Sequence, residues 1–294
     1  MLKVLASIVR HPLNRSRPLT ALRRFAAWQI GTRLLRSAVA VPYVGSTRLL
    51  VKRGMTGATG NIYCGLHEFE DMAFVLHALR PADLFVDVGA NIGSYTILAA
   101  GVAQARCLSI EPVPATYASL LDNLRLNDLT AAVQPKNIAV GAAAGTLRFT
   151  ADRDTTNHAL SATESAASAI SVPVATLDSL LEEREPAVIK IDVEGFEHEV
   201  IEGAERTLRS AALLAVLMEL NGSGDRYGFS DDALHDRMLA LGFTAARYDP
   251  LQRSLQQLQS KNTLPGNTLY VRRWSELQTR LQAAPRHRVL HTDV

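Results

Sequence analysis

Three stretches of this chain combine carboxylates with neighbours that could put them to work. In Leu84-Phe-Val-Asp-Val-Gly-Ala-Asn-Ile-Gly-Ser-Tyr-Thr-Ile97, an apolar run carries Asp87 and turns from Gly89 to Gly93. Apolar side chains then return at helical spacing in Tyr95, Ile97, Leu98 and Val102, as expected of a buried strand feeding a helix through a glycine turn. Such a turn presents free backbone N–H groups at the carboxyl end of a strand, where open α/β sheets bind ligands. About twenty residues on, Glu111 ends the next apolar run, where an acidic side chain accepts both ribose hydroxyls in nucleoside-binding sheets. Asn137-Ile138 falls at the end of the following strand, a third contact beside the expected adenine position. The third stretch is Ile189-Lys-Ile-Asp-Val-Glu-Gly-Phe-Glu-His198, in which strand alternation puts Lys190, Asp192 and Glu194 on one side. Charges inside an apolar strand are costly unless paired or functional.

The ligand can be narrowed further. A dinucleotide fingerprint needs a second glycine so that the backbone can approach a pyrophosphate. Here Asn91 holds that place, and its side chain would crowd a pyrophosphate. Asp87 suits a cationic or amine-bearing ligand better than a phosphate. S-adenosylmethionine, with an amino-acid end, a sulfonium, a ribose and no phosphate, fits these residues. An ordinary tight strand–helix turn with no ligand accounts for the glycine stretch alone.

Methyl transfer to oxygen needs the hydroxyl proton removed as the nucleophile attacks. Asp192 is the candidate base, with Lys190 the cation that orients it. The structural alternative makes Asp192 or Glu194 a helix cap and Lys190 an ion-pair partner. His158 and His198 are secondary candidates for proton transfer. Glu219 and Asn221, at the end of the next apolar run, could join Asp192 in an all-oxygen site for a hard divalent cation.

These residues need a sheet to hold them. Strand and helix patterns alternate from Leu84 onward: strands at 84–88, 106–110, 133–140, 188–192, 213–219, 243–248 and 269–272, with helices between them. The alternation predicts a doubly wound, mostly parallel, seven-stranded Rossmann-like α/β sheet. Gly141 and Gly145 frame a hairpin into Thr146–Phe149, and the single helix expected after Asp192 runs from Phe196 to Leu208. Residues 54–65 and 152–171 read as loops and the tail from Pro285 as frayed. The domain reading is a basic, partly helical extension over 1–65, the α/β domain over 66–275 and a tail over 276–294.

No acidic residue precedes Glu68, whereas Lys3, Arg10, Arg15, Arg17, Arg23, Arg24, Arg33, Arg36, Arg48, Lys52 and Arg53 all do. The formal charge of +2 therefore combines a basic arm with an acidic body. Pro12 and Pro18 divide the arm into two amphipathic helices, one carrying Trp28, so it reads either as an element for an anionic membrane surface or as a solvated helical cap. No stretch supplies the roughly 20 apolar residues of a spanning helix. Cys64 and Cys107 have neither disulfide-framework nor metal-ligand spacing, which fits a cytoplasmic protein.

Five stretches together resemble the FkbM family of S-adenosylmethionine-dependent methyltransferases. They are Val86-Asp-Val-Gly-Ala-Asn-Ile-Gly93, Glu111-Pro112, Asn137-Ile-Ala-Val-Gly141, Val174-Ala-Thr-Leu-Asp-Ser-Leu180 and Ile189–His198, in the family's order over roughly residues 66–273. The resemblance implies a class I methyltransferase fold and O-methylation of a hydroxyl on a sugar, glycolipid or other natural product. By the motif match Asp87, Gly89, Asn91, Gly93 and Glu111 carry over as cofactor contacts. Two features depart from the pattern: the Asn157-His158 loop has no glycine where relatives often have one, and the basic arm lies outside the resemblance. The competing readings are a non-catalytic interaction protein on the same fold and a nicotinamide oxidoreductase, the latter opposed by Asn91. A nucleic-acid substrate is disfavoured by the acidic body.

Overall fold

A computed structural model describes all residues except 1, 36, 151–156, 162–163, 165–168 and 265. Runs of uncharged aliphatic residues make the central strands, because only such residues can be buried on both faces of a parallel sheet. The chain begins with helices α1 (Leu2–Arg10) and α2 (Pro18–Leu34), then a hairpin of β1 (Val39–Pro42) and β2 (Arg48–Val51), then helices α3 (Thr56–Cys64) and α4 (Phe69–Ala78). Strand β3 (Leu84–Val88) leads through the glycine turn into α5 (Ser94–Ile97), which continues as a π-helical turn over Leu98–Val102. Next come β4 (Arg106–Ile110), α6 (Pro114–Leu126), β5 (Val133–Lys136), β6 (Ala139–Val140), β7 (Gly145–Phe149) and β8 (Ile170–Ala175). The remainder is α7 (Leu177–Leu181), β9 (Val188–Ile191), α8 (Glu197–Glu202), α9 (Glu205–Arg209), β10 (Ala215–Met218), α10 (Asp231–Ala240), β11 (Thr244–Asp249), β12 (Ser254–Gln257), β13 (Thr268–Val271), α11 (Trp274–Gln282), β14 (Arg288–Val289) and β15 (Thr292–Asp293).

The main sheet has the order β12-β11-β13-β10-β9-β3-β4-β5. Strands β5, β4, β3, β9 and β10 run parallel, and β13 enters antiparallel between β10 and β11. This is the doubly wound, mostly parallel α/β sheet that the alternation predicts, with one strand more than the expected seven: β12 pairs with β11 at the edge. The chain builds outward from β3 to β5 and then returns to the other side of β3 with β9. The switch point, where such sheets bind ligands, lies between β3 and β9.

Alternate side chains of each strand feed two cores. Phe85, Cys107, Val133, Val188 and Leu217 pack with the arm, α4, α6 and α11, while Val86, Leu108, Ile189, Val216 and Tyr270 pack with α7 to α10. Ile8, Leu13, Ala21 and Trp28 of the arm belong to the first core. Residues 1–65 thus share a core with the 66–275 sheet, and α1 and α2 form on either side of Pro12 and Pro18.

Six local expectations change. The 54–65 loop is helix α3, closed by Gly65 at φ +81°. The 133–140 strand is two strands in different sheets, since β6 pairs with β8 rather than β4. The glycine-framed hairpin is replaced by a three-stranded sheet, β6-β8-β7, in which β8 separates the two predicted neighbours. Of the 152–171 loop, the structure gives Ile170 and Ser171 to β8; residues 152–156, 162–163 and 165–168 lie outside the described residues. The 196–208 helix is broken into α8 and α9 at Gly203-Ala204, where a Cβ on Gly203 would meet the Gly141 carbonyl oxygen at 2.1 Å. The tail is not frayed: Trp274–Gln282 is helical, His287 and Val294 exchange backbone hydrogen bonds, and Val289 and Val294 are buried in the first core.

Candidate active site

The carboxyl ends of β3, β4, β9 and β10 open into a cavity of about 290 Å³. Its floor is the glycine turn. Gly89 adopts φ +79°, and a Cβ there would lie 1.9 Å from the Asp192 carbonyl oxygen. The turn and the end of β9 therefore meet backbone to backbone, a contact only glycine permits. Asn91 also has positive φ, +52°, which asparagine tolerates better than most residues, and its Oδ1 accepts the Ile92 N–H at 2.8 Å. Gly93 opens α5 and packs against Leu120.

Glu111 faces this turn. Its two oxygens accept the Asn91 N–H at 3.0 Å and the Val113 N–H at 2.9 Å, which fixes the carboxylate while leaving lone pairs toward the cavity. Burial pushes its pKa up to about 7, against the lowering effect of those two hydrogen bonds. Asn137 donates to the carbonyls of Glu111 and Pro112 at 2.8 and 2.9 Å and so positions that corner from behind. Ile110, Pro112, Ile138 and Val140 give the adjoining wall an apolar slot.

Not every sequence-predicted residue reaches the cavity. Gly89, Asn91, Glu111, Ile138, Lys190 and Asp192 line it; Asp87, Gly93, Asn137 and His198 do not. Asp87 is fully buried beneath the turn, where its Oδ2 accepts from the Thr96 hydroxyl at 2.7 Å and its Oδ1 has no partner. Burial raises its pKa, opposed by the charge of Lys190. It acts on the site through the local field. The His198 ring stacks on Phe229 with centroids 4.3 Å apart. His158 is buried in the small sheet, its N–H on the Thr150 hydroxyl.

Lys190 is 3% exposed and donates to Asp192 Oδ2 at 2.9 Å, with its ammonium 4.9 Å from the Tyr95 ring centroid. Burial disfavours its charge, but Asp192, Asp87 and Glu68 together outweigh that, and its pKa lies above the ordinary value. Asp192, Glu194 and Glu219 bring carboxylate oxygens within 4.8 Å of one another. Burial raises Glu219 to about 8 and Glu194 to about 7, and the proximity of Asp192 adds to both. Glu194 and Glu219 therefore exchange protons near neutrality right beside Asp192, where a general base could pass one on. Its geometry also suits a hard divalent cation, although Lys190 already balances part of the charge. Asn221, named with that cation in the sequence reading, instead accepts the Ser223 N–H at 2.9 Å.

Sequence reasoning missed three contributors. Tyr95 donates to Glu68 at 2.7 Å, joining α5 to the start of α4 across the cavity, with no sequence signal linking residues 27 apart. Asn61 accepts the His67 N–H and lines the wall formed by α3, which read as a loop. Glu197 Oε1 accepts the N–H groups of Val193 and Gly195, holding the turn after β9. Its signal was the glycine two positions earlier: Gly195 stands at φ +101°, and a Cβ there would meet the Ser223 carbonyl oxygen at 2.4 Å.

A family model described as the methyltransferase FkbM domain matches residues 87–245, more than half of the chain and all four strand ends around the cavity. The chain belongs to the FkbM methyltransferase family. The methyltransferase sdnD of Sordaria araneosa is 35% identical over 83 residues, 28% of this chain and 32% of that protein. The hexuronic acid methyltransferase AglP of Haloferax volcanii is 27% identical over 163 residues, 54% of this chain and 64% of that one. The matches thus span about a third and just under two thirds of those relatives' lengths. Among solved structures, a precorrin-6y C5,15-methyltransferase from Geobacter metallireducens aligns over 70% of this chain and 88% of its own, at 12% identity and a TM-score of 0.41. The FkbM match begins at Asp87, so the basic arm and the hairpin β1-β2 fall outside it.

Proposed function

We propose that this FkbM-family protein transfers a methyl group from S-adenosylmethionine to a hydroxyl of a sugar, glycolipid or other natural product. The observation that carries this reading is the cavity's donor set. Glu111 is held by two backbone N–H groups with lone pairs left for ribose hydroxyls, beside an apolar slot of adenine character. Among the described lining residues Lys190 is the one lysine or arginine, and it is engaged by Asp192, so none of them offers a free lysine or arginine to a phosphate. Those residues fit S-adenosylmethionine and disfavour a dinucleotide.

When bound, that cofactor supplies a methyl group activated by a sulfonium. The protein's own contributions are positional and electrostatic. Glu111 accepts the ribose hydroxyls. Asp192, held by Lys190 through Oδ2, takes the acceptor's proton, and the raised pKa values of Glu194 and Glu219 beside it let that proton be passed on among neighbouring carboxyls. Lys190 also keeps three crowded carboxylates from repelling one another. The similarity to a hexuronic acid methyltransferase supports a sugar-type hydroxyl as the acceptor.

Calorimetric titration of S-adenosylmethionine, S-adenosylhomocysteine and NADH tests the cofactor. The first two bind, NADH does not, and Glu111→Ala weakens binding by about 1–3 kcal/mol, the cost of losing a charge-assisted acceptor. No binding of S-adenosylmethionine by folded wild type rejects the reading and favours an interaction protein. Asp192→Asn, assayed with labelled cofactor and uronic acid glycosides, lowers kcat by about 10²–10⁴-fold with cofactor affinity retained. An unchanged kcat removes Asp192 as the base.

A further inference from the structure

Large exposed aliphatic side chains are concentrated at one end of this molecule. Leu2, Val4, Leu19, Ile30, Leu34 and Leu35 are 48–84% exposed, whereas among the other described residues only Leu239, Leu251 and Leu264 stand out in this way, each in a different part of the chain. Scattered single leucines need no explanation; a cluster does.

Helix α2 shows how the cluster is built. Ala21, Phe25, Trp28 and Thr32 form its inward face. Leu19, Arg23, Ala26, Ile30 and Arg33 recur at intervals of four, three, four and three, which aligns them in one exposed stripe along the helix, with Leu34 beside it. A globular surface helix places polar side chains there. This one mixes aliphatic and guanidinium groups and has no carboxylate. Leu2, Lys3, Val4 and Arg10 of the adjoining α1 are exposed as well. Among the described residues no ion pair involves any side chain before Glu70, so the arm's cationic charges are uncompensated.

Both halves of the stripe restrict what can cover it. An apolar partner would desolvate Arg23 and Arg33 without counter-charge. A second copy meeting the same face would set arginine against arginine. An anionic bilayer satisfies both, with phosphates for the guanidinium groups and the acyl boundary for Leu19 and Ile30. No described helix is long and apolar enough to cross a membrane, so the contact is peripheral.

We propose that the outer stripe of α2, with the exposed face of α1, docks this protein on an anionic lipid surface. The docking is independent of methyl transfer but not remote from the cavity. Arg24 donates to the Tyr63 carbonyl at 2.8 Å and Gln29 to the Tyr63 hydroxyl at 3.0 Å, fastening α2 to α3. Helix α3 in turn supplies Thr56, Gly57, Ala58 and Asn61 to the cavity wall. A docked molecule holds its cavity one helix layer from the lipid headgroups.

Co-sedimentation of the full chain with phosphatidylcholine vesicles, with or without phosphatidylglycerol, is the test, and it needs no cofactor. Wild type pellets with the anionic vesicles and not the neutral ones, and added salt weakens the association. Leu19→Glu with Ile30→Glu, and separately Arg23→Glu with Arg33→Glu, each reduce it by roughly tenfold or more, while Leu251→Glu leaves it unchanged. All these positions are exposed, and circular dichroism checks the fold. If a glutamate variant misfolds, Arg23→Gln with Arg33→Gln replaces it under the same readout. Absent binding to anionic vesicles, equal binding to neutral ones, or stripe variants that bind like wild type overturn the proposal. So does light scattering that shows a dimer which the stripe variants dissociate, because the occupant is then a second copy.

Discussion

At the residue scale, this site is a set of carboxyls that hold protons more tightly folded than unfolded. Burial lifts Glu111, Glu194 and Glu197 to about 7 and Glu219 to about 8, from an ordinary value of 4.5. Between the unfolded and folded values the native state binds more protons, so the stability these groups contribute is complete in acid and is lost as pH rises through about 7–8. The midpoint of thermal unfolding is therefore expected to fall from about pH 5 to about pH 8.5. Glu219→Gln should shrink that fall; an equal fall in the variant would show that Glu219 does not carry it. These carboxyls were unevenly legible. Glu111 and Asp192, with the Lys190 that pairs with Asp192, could be placed because each ends or interrupts an apolar strand, a local pattern. Glu68 could not, since its partner Tyr95 stands on another element and read as one apolar position among several. Asp87 was visible as a residue, but its burial beneath the turn is set by Thr96 of the following helix.

At the scale of elements, the turn after β9 decides whether the site is formed. Val193-Glu194-Gly195 is closed by a long backbone turn bond, Phe196 N–H to the Val193 carbonyl at 3.4 Å, and Glu197 reinforces it with one oxygen shared by two N–H groups. Glu197→Ala should cost about 1–3 kcal/mol in urea unfolding and lower kcat more than cofactor affinity. Glu197→Gln keeps an acceptor oxygen and should recover most of both. If the alanine variant keeps both stability and kcat, the turn is held by something else. Strands and helices that carry one unbroken period were readable in advance, from β3 through β4, α6, β9 and β10. Errors came where a tertiary contact overrides local pattern. Helix α3 is rich in glycine and threonine, poor formers, yet its buried face packs beside α2. The 196–208 helix breaks because the chain must pass the Gly141 carbonyl at Gly203. Strand β6 leaves its expected neighbour because β8, about thirty residues later, pairs with it.

At the scale of the molecule, the two ends of the described chain are joined. Val289 and Val294 share a core cluster with Ile8 and Leu13, the methyls of Val289 and Leu290 pack on Gly65, and Ser16 meets His291 at 3.1 Å. Val289→Ala is expected to cost about 2 kcal/mol in urea unfolding, where a frayed tail would show no change. That contact between residues 275 positions apart has a consequence in time. During translation at about 5–20 residues per second, the arm waits tens of seconds after synthesis before the segment that clasps it exists. For that interval Ile8 and Leu13 lack the valines that complete their core, and the order of manufacture leaves this part of the interior open the longest.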